Sequence, residues 1–363
     1  MKNNIDRDVP DQNAEKLPDS RKKIIWSFVS VAIAALTVWA VMSQTKNFSF
    51  GEFLEQLSGA SPWWIATAVT SMIAYICFEA LALMTICREF GHAPTFRHGL
   101  VYSSADLYFS AITPSATGGQ PASAFFMRSD GMSTTLAAMV LIANLLMYTC
   151  STVCVGLIST AIAPLTITRM GHFSRVLVIA GFAVQVFLLF VIAMLVVNEK
   201  IIKSFGNAVI RTLGRIRIIK NTDKLTERFD RSMDAYRDHT KVLSGKRAMM
   251  AKVLLFNILQ RVSQMMVTVF TYIALGNPIR DAAKVFSLQM YISIGAYCIP
   301  IPGSMGVTDY LMIDGFRSLI GDEAKIVSFE LLSRTLSFYS CIIICGLTVL
   351  VSYLIRKKRR SGK

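Results

Sequence analysis

Five ionisable residues stand inside stretches that are otherwise apolar enough to lie in a membrane: Glu79, Asp106, Arg261, Asp309 and Arg334, with Arg128 at the edge of another such stretch. A charge at bilayer depth costs about 2.5–3.5 kcal/mol on insertion scales and is retained where it faces an interior or a cavity. The chemistry open to these residues is recognition. An arginine fork binds phosphate through two parallel hydrogen bonds, and a carboxylate meets a cation or balances an arginine. On this reading Arg261 or Arg334 meets a phosphate, while Asp309, Asp106 or Glu79 meets cationic groups. The alternative is that the charges pair with one another, Arg334 with Asp309 for example, and stay neutral.

Two interruptions of the apolar sequence lie close to these charges. One runs Thr113-Pro114-Ser115-Ala116-Thr117-Gly118-Gly119-Gln120-Pro121, the other Ile299-Pro300-Ile301-Pro302-Gly303-Ser304-Met305-Gly306-Val307. In hydrocarbon every backbone N–H and C=O needs a partner within the protein, so broken helix is tolerated only against protein or a water-filled cavity. A pair of such breaks, one in each half of a chain, points to a transport site built from discontinuous helices. Gly118, Gly119, Gly303 and Gly306 permit positive φ and close backbone approach. Pro114, Pro121, Pro300 and Pro302 end helices and remove donors. A helix restarting after each break offers its first N–H groups to an anion, with Gln120 and Thr117 as neutral hydrogen-bonding partners. Tight helix packing through small residues is the competing explanation.

The elements that must position these residues are membrane spans. The chain has 363 residues, 53% hydrophobic and only 17% charged. Apolar runs near the ~20 residues needed to cross a bilayer recur at 24–43, 63–87, 134–163, 176–198, 253–275 and 327–355. The first follows Arg21-Lys22-Lys23 but lacks a small-residue cleavage site, and reads as a retained anchor rather than a signal peptide.

The net charge of +15 is local. Residues 198–252 hold fourteen Lys/Arg against six Asp/Glu, the tail 356–363 carries +6, and residues 1–23 carry six basic against five acidic side chains, so the rest of the chain is neutral. Basic segments beside spans mark cytoplasmic flanks, and without a recognisable binding fold they exclude nucleic acid as a partner.

The expected architecture is an all-α polytopic membrane protein. It has about six full transmembrane helices and two re-entrant broken-helix hairpins, 100–127 and 283–319, entering from opposite faces. Residues 1–23 form a disordered cytoplasmic arm and 24–355 the transmembrane domain. Within that domain 198–252 is a basic cytoplasmic loop, and 356–363 is a basic cytoplasmic tail. Leu225, Phe229, Met233 and Tyr236 fall at helical spacing among charges, which predicts an amphipathic helix over 222–242. The topology is of inverted type, although no internal sequence repeat is evident.

Several chemistries are excluded. The seven cysteines all fall in apolar segments, and Cys150/Cys154 and Cys341/Cys345 are spaced as helix-face neighbours, a packing pattern. The four histidines lack metal-ligand spacing. There is no Walker loop and no nucleophile–base constellation. Neither a metal nor a cofactor is expected, and no catalytic residue.

At the two breaks the sequence resembles the lysylphosphatidylglycerol synthase transmembrane-region family, the flippase-like membrane domain of multiple peptide resistance factor proteins. The first match runs from Thr113-Pro114 through Gly118-Gly119-Gln120-Pro121 to Arg128 and Gly131-Met132-Ser133. The second is Pro302-Gly303-Ser304-Met305-Gly306-Val307 followed by Asp309, where the family usually has Glu. The third is Arg334 with Gly346. The resemblance implies a lipid-handling domain of a bacterial inner membrane, with both termini cytoplasmic, that moves a phospholipid, aminoacylated phosphatidylglycerol among the candidates, between leaflets. The best-known relatives carry a soluble aminoacyltransferase domain after the membrane part. Here the sequence stops at Lys363, so a stand-alone, non-enzymatic member is expected, to which a lysyltransferase label would come by family name only. Alternatives are a carrier of isoprenoid-phosphate-linked sugars or envelope precursors, and a non-transporting scaffold. Expected partners are anionic lipid headgroups, with a lipid-modifying enzyme or glycosyltransferase and a second copy of the chain as further candidates.

Overall fold

The computed structural model describes residues 58–197, 246–299 and 301–361. The span at 24–43, the arm at 1–23 and the amphipathic helix at 222–242 lie outside them. The described residues are helical, with no strand among them. The described residues form ten α-helices in the order α1 (Pro62–Glu89), α2 (Phe96–Ile112), α3 (Gly119–Ser129), α4 (Thr134–Ile162), α5 (His172–Val197), α6 (Arg247–Ala274), α7 (Ala282–Ala296), α8 (Val307–Ile320), α9 (Glu323–Arg334) and α10 (Ser340–Ser361). Helices α1, α4, α5, α6 and the joined pair α9–α10 are long and apolar enough to cross a membrane.

Local sequence accounts for the ends. Pro62 follows Ser61 as the first residue of α1, where its missing N–H costs nothing. The Ser133 hydroxyl accepts from the Leu136 N–H to cap α4. Gly321, left-handed at φ 77°, closes α8. Helix α6 begins at Arg247, so the last residues of the expected basic loop, Arg247 and Lys252 among them, are already helical. The final span is not one regular helix. A π-helical turn, Thr335–Tyr339, follows directly on Arg334, a break that sequence periodicity did not reveal.

The architecture is organised around α1 and α6, which lie antiparallel along their whole length. At one end the Ser61 N–H donates to the Ala274 carbonyl (2.9 Å); at the other, Lys246 pairs with Glu89. Helices α2 and α3 form a hairpin whose open end lies at the Glu89–Lys246 end. There Tyr102, Phe126, Met127, Met132 and Val140 share a core with Ile86 and Val253. Helices α7 and α8 form a second hairpin that opens at the Ser61–Ala274 end, where Leu288, Leu311, Phe316 and Phe329 pack with Tyr272. The two hairpins therefore enter from opposite ends, as expected.

Their tips, the short 3₁₀ turns Pro114–Ala116 and Pro302–Ser304, pack against each other. Packing around the two hairpins corresponds: α2 lies against α10 as α7 lies against α4, and α3 against α4 as α8 against α9. This correspondence leaves no trace in the sequence, because it is a matter of helix order and direction rather than residue identity. Helices α5 and α10 leave wide apolar faces uncovered, including Phe187, Phe190, Ile343, Leu347 and Leu354. Such faces are suited to acyl chains rather than water.

Candidate functional site

Arg261 lies midway along α6 and is only 1% exposed. Its Nε donates to Thr152 Oγ1 (3.1 Å), and its Nη1 donates to Gln264 Oε1 (2.6 Å) and to the Tyr297 hydroxyl (3.0 Å). The Thr152 hydroxyl donates its own proton to the Tyr148 carbonyl, so its lone pairs face the guanidinium. That guanidinium also lies over the Tyr148 ring, 4.0 Å from the centroid, in a cation–π contact. Every one of these partners is neutral. Among the described residues Arg261 forms no ion pair, and its buried Nη2 has no hydrogen-bond partner. Burying a full charge without a counter-ion is expensive. An arginine held by neutral dipoles with one edge open is built to receive an anion.

The adjoining face of the same turn of α6 carries Gln260, fully buried, whose Nε2 donates to Glu79 Oε2 (3.0 Å). Glu79 on α1, 4% exposed, lies within hydrogen-bonding reach of Asp106 on α2. The Ser110 hydroxyl donates to Asp106 Oδ1 (3.2 Å). This cluster fixes the first hairpin. A Cβ at Gly119, the first residue of α3, would overlap both Asp106 Oδ1 and Ser110 Oγ, so only glycine lets the two arms close.

Arg334 ends α9 and pairs with Asp309 on α8. Its Nη2 reaches the Gly303 carbonyl (3.5 Å), and its Nε lies 4.0 Å from Glu330 one turn back. Asp309 Oδ2 accepts the Gly306 N–H (2.9 Å). The second helix restart is thus capped by its own carboxylate and is not open to an external anion as the sequence had implied. Of the two buried arginines, Arg334 is neutralised in place and Arg261 is not.

The remaining expected site residues divide. Gly303 (φ 60°) and Gly306 (φ 78°) do take positive φ. Gly118 (φ −83°) and Gly119, within α3, do not; they are needed for closeness, a Cβ at Gly118 falling 2.7 Å from the Thr113 side chain. The left-handed residue of the first tip is instead Ala116, at φ 55°. Pro114 and Pro121 are exposed at the tip, Gln120 is half-buried beside them, and Pro302 opens the second turn. Pro300 lies outside the described residues. Arg128 is exposed at the Glu89–Lys246 end and is not brought to either arginine site.

That end instead holds an ion pair that sequence reading missed, in which both Asp130 oxygens accept from Arg356 and Oδ2 also accepts from the Tyr102 hydroxyl (2.7 Å). Burial acts to raise the Asp130 carboxyl, but the Arg356 guanidinium and the Tyr102 hydroxyl outweigh it and hold it below the ordinary range. Gln260, Glu330, Tyr148 and Tyr297 were also missed. Glu330 stands four residues before Arg334, a spacing that could have revealed it. Tyr148 and Tyr297 come from distant segments and carry no such signal.

A UPF0104 membrane protein of Archaeoglobus fulgidus is 23% identical over 257 residues, covering 69% of this chain and 75% of its own. Another UPF0104 membrane protein, from Methanothermobacter thermautotrophicus, is 26% identical over 110 residues, 30% of either chain. The family described as the lysylphosphatidylglycerol synthase TM region matches residues 27–345, nearly the whole length and both broken-helix hairpins. That match bears out the resemblance read from the breaks: this multi-pass membrane protein belongs to the lysylphosphatidylglycerol synthase TM-region family.

Proposed function

We propose that this protein moves a phospholipid, recognised by its phosphate, between the leaflets of a bacterial inner membrane, without covalent chemistry on the lipid. The headgroup phosphate passes Arg261 while the acyl chains stay in the bilayer. The observation that carries this reading is the fully buried Arg261 guanidinium, held by neutral groups with Nη2 unpartnered beside the second hairpin. An anion of stable charge at mid-depth is what such a group lacks, and a phosphodiester supplies it.

Two further features support the reading. The hairpin tips pack against each other between the two ends, so irregular backbone from both hairpins is available where a polar group would cross. At the Ser61–Ala274 end an open groove mixes Arg169, Arg280 and Lys284 with Ile162, Leu165 and Leu319, a combination suited to a phosphate carrying apolar chains. The Glu89–Lys246 end then faces the cytoplasm, with both termini on that side. Phosphatidylglycerol and its aminoacylated forms are the first substrates to test.

The test is a dithionite-quenching assay on proteoliposomes of the purified protein, with headgroup-labelled phosphatidylglycerol and its lysyl derivative. Protein-dependent loss of the protected inner-leaflet signal, abolished in Arg261→Gln, is the expected result. An Arg261→Gln protein that moves lipid at the wild-type rate would remove Arg261 from the path. No acceleration of either lipid by folded wild-type protein would overturn the phospholipid reading in favour of an isoprenoid phosphate.

A further inference from the structure

Neighbouring residues of α6 serve two different sites. Arg261 faces α4 and the second hairpin through Thr152 and Tyr297, whereas Gln260 faces α1 and the first hairpin through Glu79. Gln260 and Arg261 are nevertheless adjacent in α6, and charges this deep in low dielectric interact over several ångströms. The two sites are thus separate in their contacts and joined in their electrostatics.

The carboxyl groups of Glu79 and Asp106 lie within hydrogen-bonding reach of each other. Ionised carboxylates only accept, so a hydrogen bond across this contact needs one proton between the two groups. Gln260 adds an independent sign. Its amide nitrogen donates to Glu79, while its amide oxygen is buried and has no donor. A carboxamide in that position serves both states of the carboxyl, donating to the ionised form and accepting from the acid. The other titratable or charged groups facing the pair are Arg261 on α6, Tyr75 on α1, and Cys341 and Cys345 on α10. None but Arg261 is a cation, so the charge of the pair is set by its proton and by whatever neutralises Arg261.

We propose that Glu79, Asp106 and Gln260 form a proton-binding site that couples proton movement to passage of the anion at Arg261, a proposal that rests on the function given above. The sign of the coupling follows from charge. Arg261 favours the ionised carboxyl; an anion bound at Arg261 cancels that field, so anion and proton bind each other's states preferentially, and the coupling is reciprocal. Proton and phosphate then cross as an electrically neutral pair, which lowers the cost of taking either through low dielectric. The energy for transport comes from a proton gradient rather than from nucleotide hydrolysis.

Two measurements on the purified full chain test this. In lipid nanodiscs, infrared difference spectroscopy across a pH titration should show a carboxylic-acid carbonyl band in the wild type and in Arg261→Gln. The band should be lost in both Glu79→Gln and Asp106→Asn, each checked for folding by gel filtration. The same titrating bands in all four proteins would overturn the proton site, as would a wild-type band removed by sodium ion at constant pH. In proteoliposomes holding headgroup-labelled phosphatidylglycerol, an imposed gradient of one pH unit should bias the leaflet distribution by up to about tenfold for one proton per lipid. Whatever flux remains in Glu79→Gln should no longer follow the gradient. Wild-type flux indifferent to the gradient would overturn the coupling. Should no labelled lipid move in any protein, the transport reading fails, while the infrared titration still decides the proton site by itself.

Discussion

Asp309 and Arg334 belong to different helices, yet together they close the tip of the second hairpin. The carboxylate caps the Gly306 N–H and pairs with the guanidinium, which in turn reaches the Gly303 carbonyl. Removing one partner leaves a buried charge uncompensated, at a cost of about 3–5 kcal/mol. Arg334→Ala is therefore expected to lose folded protein, measured as the monodisperse fraction after detergent extraction. The double variant Arg334→Met/Asp309→Asn should recover much of it. A single variant as stable as wild type would show that the pair does not hold the tip.

Arg261 should behave in the opposite way. No carboxylate touches it among the described residues, and its partners are neutral hydroxyls, an amide and aromatic faces. Arg261→Met removes an unpaired charge from the interior and should leave the melting temperature unchanged or raise it, by the equivalent of about 1–3 kcal/mol, while lipid movement falls. Stability lost together with transport would mark Arg261 as structural.

Gly303 carries a conformational demand and a steric one. Its φ of 60° disfavours any Cβ, and a Cβ there would overlap the Phe338 ring in the π-helical turn. Gly303→Ala should cost about 1–2 kcal/mol from the backbone alone, with an added term from the overlap. Phe338→Leu in the same protein should return the added term only. Thermal unfolding of the wild type and these two variants separates the two contributions.

The Asp130–Arg356 pair predicts a pH signature at the Glu89–Lys246 end. The folded Asp130 carboxyl lies below its ordinary value, so its contribution is fully present above the unfolded value of about 3.9 and is lost as pH falls through the folded one. Asp130→Asn should be less stable than wild type at neutral pH by about 1.5–3 kcal/mol. The difference should begin to close near pH 4 and vanish in stronger acid. A gap that persists unchanged in strong acid would assign it to packing rather than to the ion pair.

The spans and hairpins were legible because hydrocarbon permits few solutions: long apolar runs must be helices, and Pro-Gly breaks must lie against protein or a water-filled cavity. Pairing of Arg334 with Asp309 was open to the same reasoning, since two opposite charges in one apolar region seldom remain apart. Which arginine stays unpaired was not legible. It depends on Thr152, Tyr148 and Tyr297, brought to Arg261 from α4 and from the end of α7, and none of these residues is unusual in a membrane helix. The π-helical turn after Arg334 and the left-handed Ala116 were hidden for a similar reason, as packing imposes both against local preference.

Helices α1 and α6 each hold 28 residues, about 42 Å of helix, and are fastened to each other at both ends. That strut matches a whole bilayer with its headgroup layers, and it cannot shorten. The hairpin arms beside it are only 17, 11, 15 and 14 residues long, so from either side the protein reaches only partway in. The membrane is held at full thickness along one line and met by half-depth insertions next to it. Acyl chains must splay or compress to fill the difference. Bilayer thickness is thereby a working variable of this protein: longer lipid tails must compress further to match the strut, and shorter ones must stretch to reach its ends.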